Sequence, residues 1–267
     1  MNEYSIHGGR KGNERLAILS RTVGATTSKF LDAHQATLSG SCLDLGCGSG
    51  SVSLDIAKRL QGRGEVYGLD MDPVNIASAQ EAASRQQVQN IQFQRFDAYE
   101  LTDTGRYNAV YSRFLLSHLH DPAKVLDNIF RGLVPSGRLL LEDTDFSGHF
   151  CYPASPAFDA YVRLYQALLE ARGADANIGR KLHQLLQQAG FQEISVQVVQ
   201  PVHTQEEGKL MAEITMEGIA GALLQEGLAG EAEIRETVRE LKAFRADELT
   251  IMSLPRIFQV SAVKSKN

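Results

Sequence analysis

One stretch carries residue types and spacing suited to holding a ligand. Cys42-Leu43-Asp44-Leu45 reads as a short apolar strand running into the turn Gly46-Cys47-Gly48-Ser49-Gly50. Glycines there let a ligand approach the backbone and allow positive φ without a Cβ clash. A helical pattern from Ser51 to Leu60 follows, and a helix start offers free N–H groups. A glycine-spaced strand-turn-helix is how α/β sheets cradle nucleotides. Val66-Tyr67-Gly68-Leu69-Asp70 is a second short strand, ending in an acid 20 residues after Gly50. A carboxylate at that position suits the paired hydroxyls of a ribose. The dinucleotide fingerprint is G-x-G-x-x-G, whereas this chain has Gly46-x-Gly48-x-Gly50 with Asp44 just before it. A carboxylate repels a phosphate but suits a cationic amino group. Charge therefore favours a nucleoside with an amino-acid tail over NAD.

A second set of residues is suited to proton chemistry. The apolar crest Phe114 to His120 ends in two histidines, His118 and His120. Imidazole exchanges a proton near neutral pH, which makes His118 the candidate for catalysis or acceptor contact. The competing reading is a buried histidine bonded to backbone. Two residues apart on a helix the histidines share no face, so no metal pair is expected. Glu142, Asp143, Thr144 and Asp145 follow one another at the end of an apolar strand. Asp143 is the candidate to recognise a cation or deprotonate a hydroxyl; a solvated loop and a helix cap account for the other acids. The three cysteines, Cys42, Cys47 and Cys151, form no C-x-x-C, and no cysteine–histidine spacing resembles a zinc site. No metal and no disulfide are expected.

These side chains need a sheet to position them. Ile91–Gln94 alternates as a third strand and Asp97 follows its end. Tyr107–Tyr111 is the fourth, delivering Ser112 and Arg113 to the carboxyl edge, where open α/β sheets place ligands. Arg138–Glu142 is the fifth, Ile194–Val199 the sixth and Ile257–Val263 the last. Asp72-Pro73, Asp121-Pro122 and Ser155-Pro156 each read as an N-cap followed by proline at the first helical position. Helices are expected over 155–170, 180–189, 210–224 and 231–249, with helical stretches at 13–21 and 28–34. The stripe Phe158, Tyr161, Leu164, Tyr165 and Leu168 reads as packing, and Met211, Met216, Ile219 and Leu223 as core.

At 267 residues with 43% hydrophobic content the chain can bury a sizeable core. Charged residues make up 22%, so disorder is not indicated. Net charge is 27 − 32 = −5, which lacks the basic excess of a non-specific nucleic-acid binder. No run of about 18 apolar residues suggests a membrane span, and the polar N-terminus lacks a signal-like apolar region. A cytoplasmic protein is the default expectation.

Several ordered motifs together resemble class I S-adenosylmethionine-dependent methyltransferases. Asp44 to Gly50 resembles the first motif, followed by Gly68-Leu69-Asp70-Met71, Phe96-Asp97-Ala98, Tyr107 to Arg113, His118 to Pro122, and Leu133 to Arg138. The likeness covers roughly residues 1–200, is strongest over 40–145, and points to the small-molecule branch. It implies a Rossmann-like α/β fold: a mostly parallel seven-stranded sheet whose final hairpin is antiparallel. The chain is expected to be a single domain over 1–267, with an N-terminal helical lid at 1–40. Helical insertions at 146–180 and 204–250 are expected to form an acceptor-side cap.

The resemblance implies S-adenosylmethionine as cofactor and S-adenosylhomocysteine as product. Gly46, Cys47 and Gly48 would cradle it, Asp44 face its ammonium and Asp70 hold its ribose. Met71 would lie on the adenine face, with Asp97 and the Ala98 backbone at the adenine edge. Ser112 and Arg113 would meet the amino-acid tail, although Arg113 also suits an anionic acceptor. Tyr4, in the lid, would touch cofactor or acceptor. His118 would face the acceptor side. Asn108 stands where many relatives carry Asp, at a position that is usually structural. The expected partner is a small-molecule acceptor methylated at O, N or C, with no membrane or nucleic acid and with room for a homodimer. The alternatives are an RNA or protein methyltransferase and a S-adenosylmethionine-binding protein without transfer activity.

Overall fold

The computed structural model describes residues 9–266. Seven strands form one sheet: β1 (Gly40–Leu45), β2 (Gly64–Asp70), β3 (Ile91–Arg95), β4 (Tyr107–Arg113), β5 (Leu133–Asp145), β7 (Phe191–Val199) and β10 (Arg256–Lys264). Their order is β3-β2-β1-β4-β5-β10-β7. The first five run parallel, and β10 is antiparallel to both β5 and β7. The order reverses at β1, between β2 and β4. That switch point places the ends of β1, β2 and β4 around one crevice.

The helices cover both faces: α1 (Gly9–Ala33), α2 (Ser51–Leu60), α3 (Pro73–Arg85), α4 (Pro122–Gly132) and α6 (Leu182–Gln188). Consecutive buried residues, Cys42 to Leu45 in β1 and Ala109 to Ser112 in β4, reflect burial on both sides, as in parallel sheets generally. Leu43, Val110, Leu139 and Leu141 pack with Val125, Leu126 and Ile129 of α4 and Leu182 and Leu186 of α6. On the other face Cys42, Val66 and Leu140 meet Val52, Ile56 and Leu60 of α2 and Phe30 and Leu31 of α1. The expected caps form: Asp72, Asp121 and Ser155 each accept a backbone N–H of their helix, with proline following.

A second assembly covers the carboxyl edge. It comprises α5 (Pro156–Ala171), α7 (Glu206–Gln225), α8 (Glu231–Ala246) and a small antiparallel sheet of β6 (Cys151–Tyr152), β9 (Ile251–Ser253) and β8 (Val202–His203). Phe158, Leu164 and Leu168 of α5 pack on Met216, Ile219 and Leu223 of α7 and Leu241 of α8. The small sheet has no counterpart in the sequence reading, because two- and three-residue strands carry no measurable alternation. The two expected N-terminal stretches are one continuous 25-residue helix, α1.

Helix α1 is fixed to the sheet by a buried carboxylate. Thr27 Oγ1 donates to Glu142 Oε2 at 2.8 Å, and the Tyr111 hydroxyl donates to the same oxygen. Gln259 Nε2 donates to Glu142 Oε1 at 2.7 Å and to the Thr26 carbonyl at 3.2 Å. Arg113 Nη1 donates to Thr27 Oγ1 at 2.9 Å.

Leu223→Ala should lower stability by about 2–5 kcal/mol, the usual cost of emptying a sealed leucine site. Urea unfolding followed by circular dichroism measures it. A loss below about 1 kcal/mol would mean that α5, α7 and α8 do not unfold cooperatively with the sheet.

Candidate functional site

The glycine turn is strapped to the end of β2. Gly46 and Cys47 N–H groups donate to the Leu69 carbonyl at 2.8 and 3.0 Å, and Gly48 N–H donates to Asp70 Oδ2 at 2.8 Å. Gly50 has φ 80° and opens α2; a Cβ there would lie 2.8 Å from Ala79 Cβ and Phe93 Cζ. Asp70 Oδ1 accepts from Asp72 N at 2.9 Å and Asn75 Nδ2 at 3.2 Å. A carboxylate has about four lone-pair sites, so these bonds orient Asp70 and leave capacity for a ligand hydroxyl.

These residues line a cleft of about 360 Å³. Asp44 lies at its floor, buried, accepting a bond from Ser53 Oγ. Burial raises the Asp44 carboxyl to about 6, while Ser53 and the Arg113 guanidinium pull it back down. Burial likewise pushes the Cys47 thiol well above its ordinary value. Met71, Asp97, Ala98 and Arg113 also line the cleft. Asp97 Oδ1 accepts from Tyr99 N at 2.9 Å, so this acid is a turn cap and a cleft residue at once. His120 Nδ1 lies 3.0 Å from the Tyr99 hydroxyl at the far rim.

A smaller chamber of about 60 Å³ lies beside the cleft, walled by Phe146, Phe158, Tyr161 and Tyr165 and by Met211 and Thr215 of α7. Arg15 and Leu19 of α1, with Phe114 and His118, line both spaces and form the neck between them. Phe114 holds a left-handed φ of 55° directly after β4. Such strain in a non-glycine residue is characteristic of functional positions. His118 is held neutral: burial lowers it to about 4, with the Arg15 guanidinium adding to the effect. His149 Nδ1 bonds the Phe146 carbonyl at 2.8 Å, which fixes the tautomer with Nε2 as an acceptor.

Residues 39–190 match the family model for a methyltransferase domain. The chain belongs to that methyltransferase family. A demethylmenaquinone methyltransferase of Lactiplantibacillus plantarum is 36% identical over 104 residues, covering 38% of this chain and 44% of the relative. The chain spans about half the length of the curated relatives it matches. Among solved structures, the YcgJ protein of Bacillus subtilis aligns with TM-score 0.60 at 17% identity, covering 90% of this chain and 100% of its own. A Haemonchus contortus phosphoethanolamine N-methyltransferase 2, solved with S-adenosylhomocysteine, aligns with TM-score 0.53 at 19% identity, covering 95% and 52%.

In this methyltransferase the cleft gathers Asp44, Gly46, Cys47, Gly48, Asp70, Met71, Asp97, Ala98 and Arg113. Two site residues expected from the sequence lie elsewhere. Ser112 is buried behind the cleft, its hydroxyl donating to the Leu45 carbonyl at 2.7 Å, because strand alternation turns it away from the opening. Asp143 lines neither space. It accepts from Thr144 N at 2.8 Å and Ser117 N at 3.3 Å, bracing the loop that carries His118. Tyr4 lies outside the described residues. Arg15, Phe114 and His149 were not legible as site residues, since each depends on a contact between distant segments. Phe158, Tyr161 and Tyr165, read as packing, both pack and line the chamber. Met216, Ile219 and Leu223 are core as expected, and Met211 is both core and part of the chamber wall.

Burial holds the Asp44 and Asp143 carboxyls at about 6, above an ordinary carboxylate near 4. Between about pH 4 and 6 the folded protein therefore keeps protons that the unfolded chain has released. Stability conferred by these groups falls as pH rises through that window, by up to about 1.4 kcal/mol per pH unit per group. Urea unfolding at several pH values should show the Asp143→Asn variant with a shallower fall than the parent; identical slopes would refute the assignment.

Proposed function

We propose that this chain transfers a methyl group from S-adenosylmethionine to a small-molecule acceptor, releasing S-adenosylhomocysteine. The observation that carries the reading is the buried Asp44 carboxylate on the floor of a cleft that also presents Asp70 through the Gly48 N–H. A buried acid with no ion pair among the described residues favours a cationic partner, and the ammonium of an amino-acid tail provides one. Arg113 answers the tail carboxylate, and Asp70 the ribose hydroxyls. Met71, Asp97 and the Ala98 backbone take the adenine. The family membership and the small-molecule names of its relatives support the same reading.

When bound, S-adenosylmethionine supplies an electrophilic methyl group on a cationic sulfur. The chain's own work is to aim an acceptor at that methyl through the neck and to exclude water. Holding two reactants in line is a large effect in its own right. Helix α1 and the insertions at 146–180 and 204–250 form the cap over the acceptor chamber. His118, neutral at the neck, accepts the acceptor's proton where that acceptor carries one.

Calorimetric titration should give micromolar binding of S-adenosylmethionine and S-adenosylhomocysteine and none of NAD. Asp70→Ala should weaken both sulfur nucleosides at least about tenfold, the loss of a charge-assisted hydrogen bond. Binding of NAD in their place, or an unchanged affinity in the variant, would overturn the cofactor assignment. His118→Gln should lower kcat about 10²-fold or more for an acceptor that carries a proton and change it little for one already ionised; equal losses for both would overturn the proton-accepting role.

A further inference from the structure

We propose that the acceptor carries an acidic oxygen, a carboxylate on a small apolar head, and that Arg15 recognises it at the neck. The assignment rests on the methyl-transfer reading above. Arg15 is shared by the cleft and the chamber. It stands with His118, which also lines both spaces, and its charge is felt at His118 and at the chamber residue Tyr161. Arg15 Nε is buried and has no hydrogen-bond partner among the described residues. A buried cationic donor left unmatched is costly, and an incoming oxyanion would match it.

The surrounding charges select the same partner. Among the described residues, no Asp or Glu lines the chamber. A cationic amine would find no counter-ion there and would face Arg15 directly. Lys209, the other chamber cation, is already committed: Nζ donates to Asp247 O at 2.6 Å, Thr250 Oγ1 at 2.8 Å and Thr250 O at 3.3 Å. His118 and His149 are both held neutral by burial and add no positive charge of their own. On the cleft side, Arg113 lines the cleft alone and is tied to Thr27, so it is placed for the cofactor's carboxylate. Two oxyanions and two arginines then pair without competition, Arg113 with the cofactor and Arg15 with the acceptor.

Size narrows the class further. The chamber's 60 Å³ is well below the roughly 150 Å³ of an engineered cavity that admits benzene. The part of the acceptor that enters is therefore a short aliphatic head rather than an aryl ring. The walls offer it apolar contact from Phe146, Phe158 and Met211.

The test uses the full chain saturated with S-adenosylhomocysteine, with isobutyrate and its uncharged isostere isobutyramide as probes. Nuclear magnetic resonance titration reads such weak affinities directly. Isobutyrate should bind at least about fivefold more tightly than isobutyramide, the margin expected of a charge-assisted bond. Arg15→Gln should erase that preference while S-adenosylhomocysteine affinity stays within about threefold, and Arg15→Lys should restore part of it. Equal binding of the two probes to the parent protein, or no detectable binding of either, would overturn the proposal. A tenfold or greater loss of S-adenosylhomocysteine affinity in Arg15→Gln would also overturn it, by assigning Arg15 to the cofactor. Failure of the parent protein to bind S-adenosylhomocysteine at all would instead remove the methyl-transfer reading beneath it.

Discussion

The Glu142 carboxylate is the constraint on which both cavities depend. It is 1% exposed, and breaking its bonds would leave an uncompensated charge inside the protein. Thr27, Tyr111 and Gln259 supply the hydrogen bonds, so strands β4, β5 and β10 and helix α1 meet at one point. Helix α1 is joined to the remainder by apolar contacts as well, and by Arg59 to Asp32 and Ser28 and by Arg21 to Glu207, and it carries Arg15 and Leu19. Without that anchor the neck between cleft and chamber would lose one wall. Arg113 bonds the same Thr27, so this cleft residue shares its support with helix α1.

The two spaces differ in chemistry because their walls have different origins. The cleft is built from strand ends and tight turns, where backbone N–H groups and short acids are unavoidable. Asp44, Asp70 and Asp97 are held there by Ser53, Gly48 and Tyr99 respectively. The chamber is built where faces of α1, α5 and α7 meet the loops after β4 and β5 and the small sheet, and side chains make up most of its wall. Those side chains are chiefly aromatic and aliphatic, and they double as the core of the covering assembly. A ligand passing through the neck moves from a lining that holds Asp44, Asp70 and Asp97 to one that, among the described residues, holds no acid.

Within the loop after β4, strain and hydrogen bonding act together. Phe114 adopts a left-handed backbone, its N–H bonded to the Glu142 carbonyl at 2.8 Å. Asp143 accepts from Ser117 three residues further on. The neighbouring acids of β5 thus shape the loop from below, and His118 stands at the neck as a result. Asp143, read from the sequence as a candidate for chemistry at an acceptor, bonds the backbone of the loop that carries His118.

The sequence by itself determined the sheet and the cofactor side of the site. Strand alternation, the proline-preceded caps and the spacing of Asp44, Gly46, Gly48 and Asp70 are local features. Residues adjacent in sequence at a strand end are adjacent in space, so nine cleft residues could be named from strand ends and from the motifs that carry the family resemblance. Only tertiary structure decided the acceptor side. Arg15, Phe114, Tyr161, His149 and Met211 come from five separate segments and meet through packing across nearly two hundred positions of chain. No periodicity records such a meeting. The same limit explains Ser112 and Asp143: sequence placed them at the correct edge, but the direction of a side chain at a strand end is set by its neighbours in the fold.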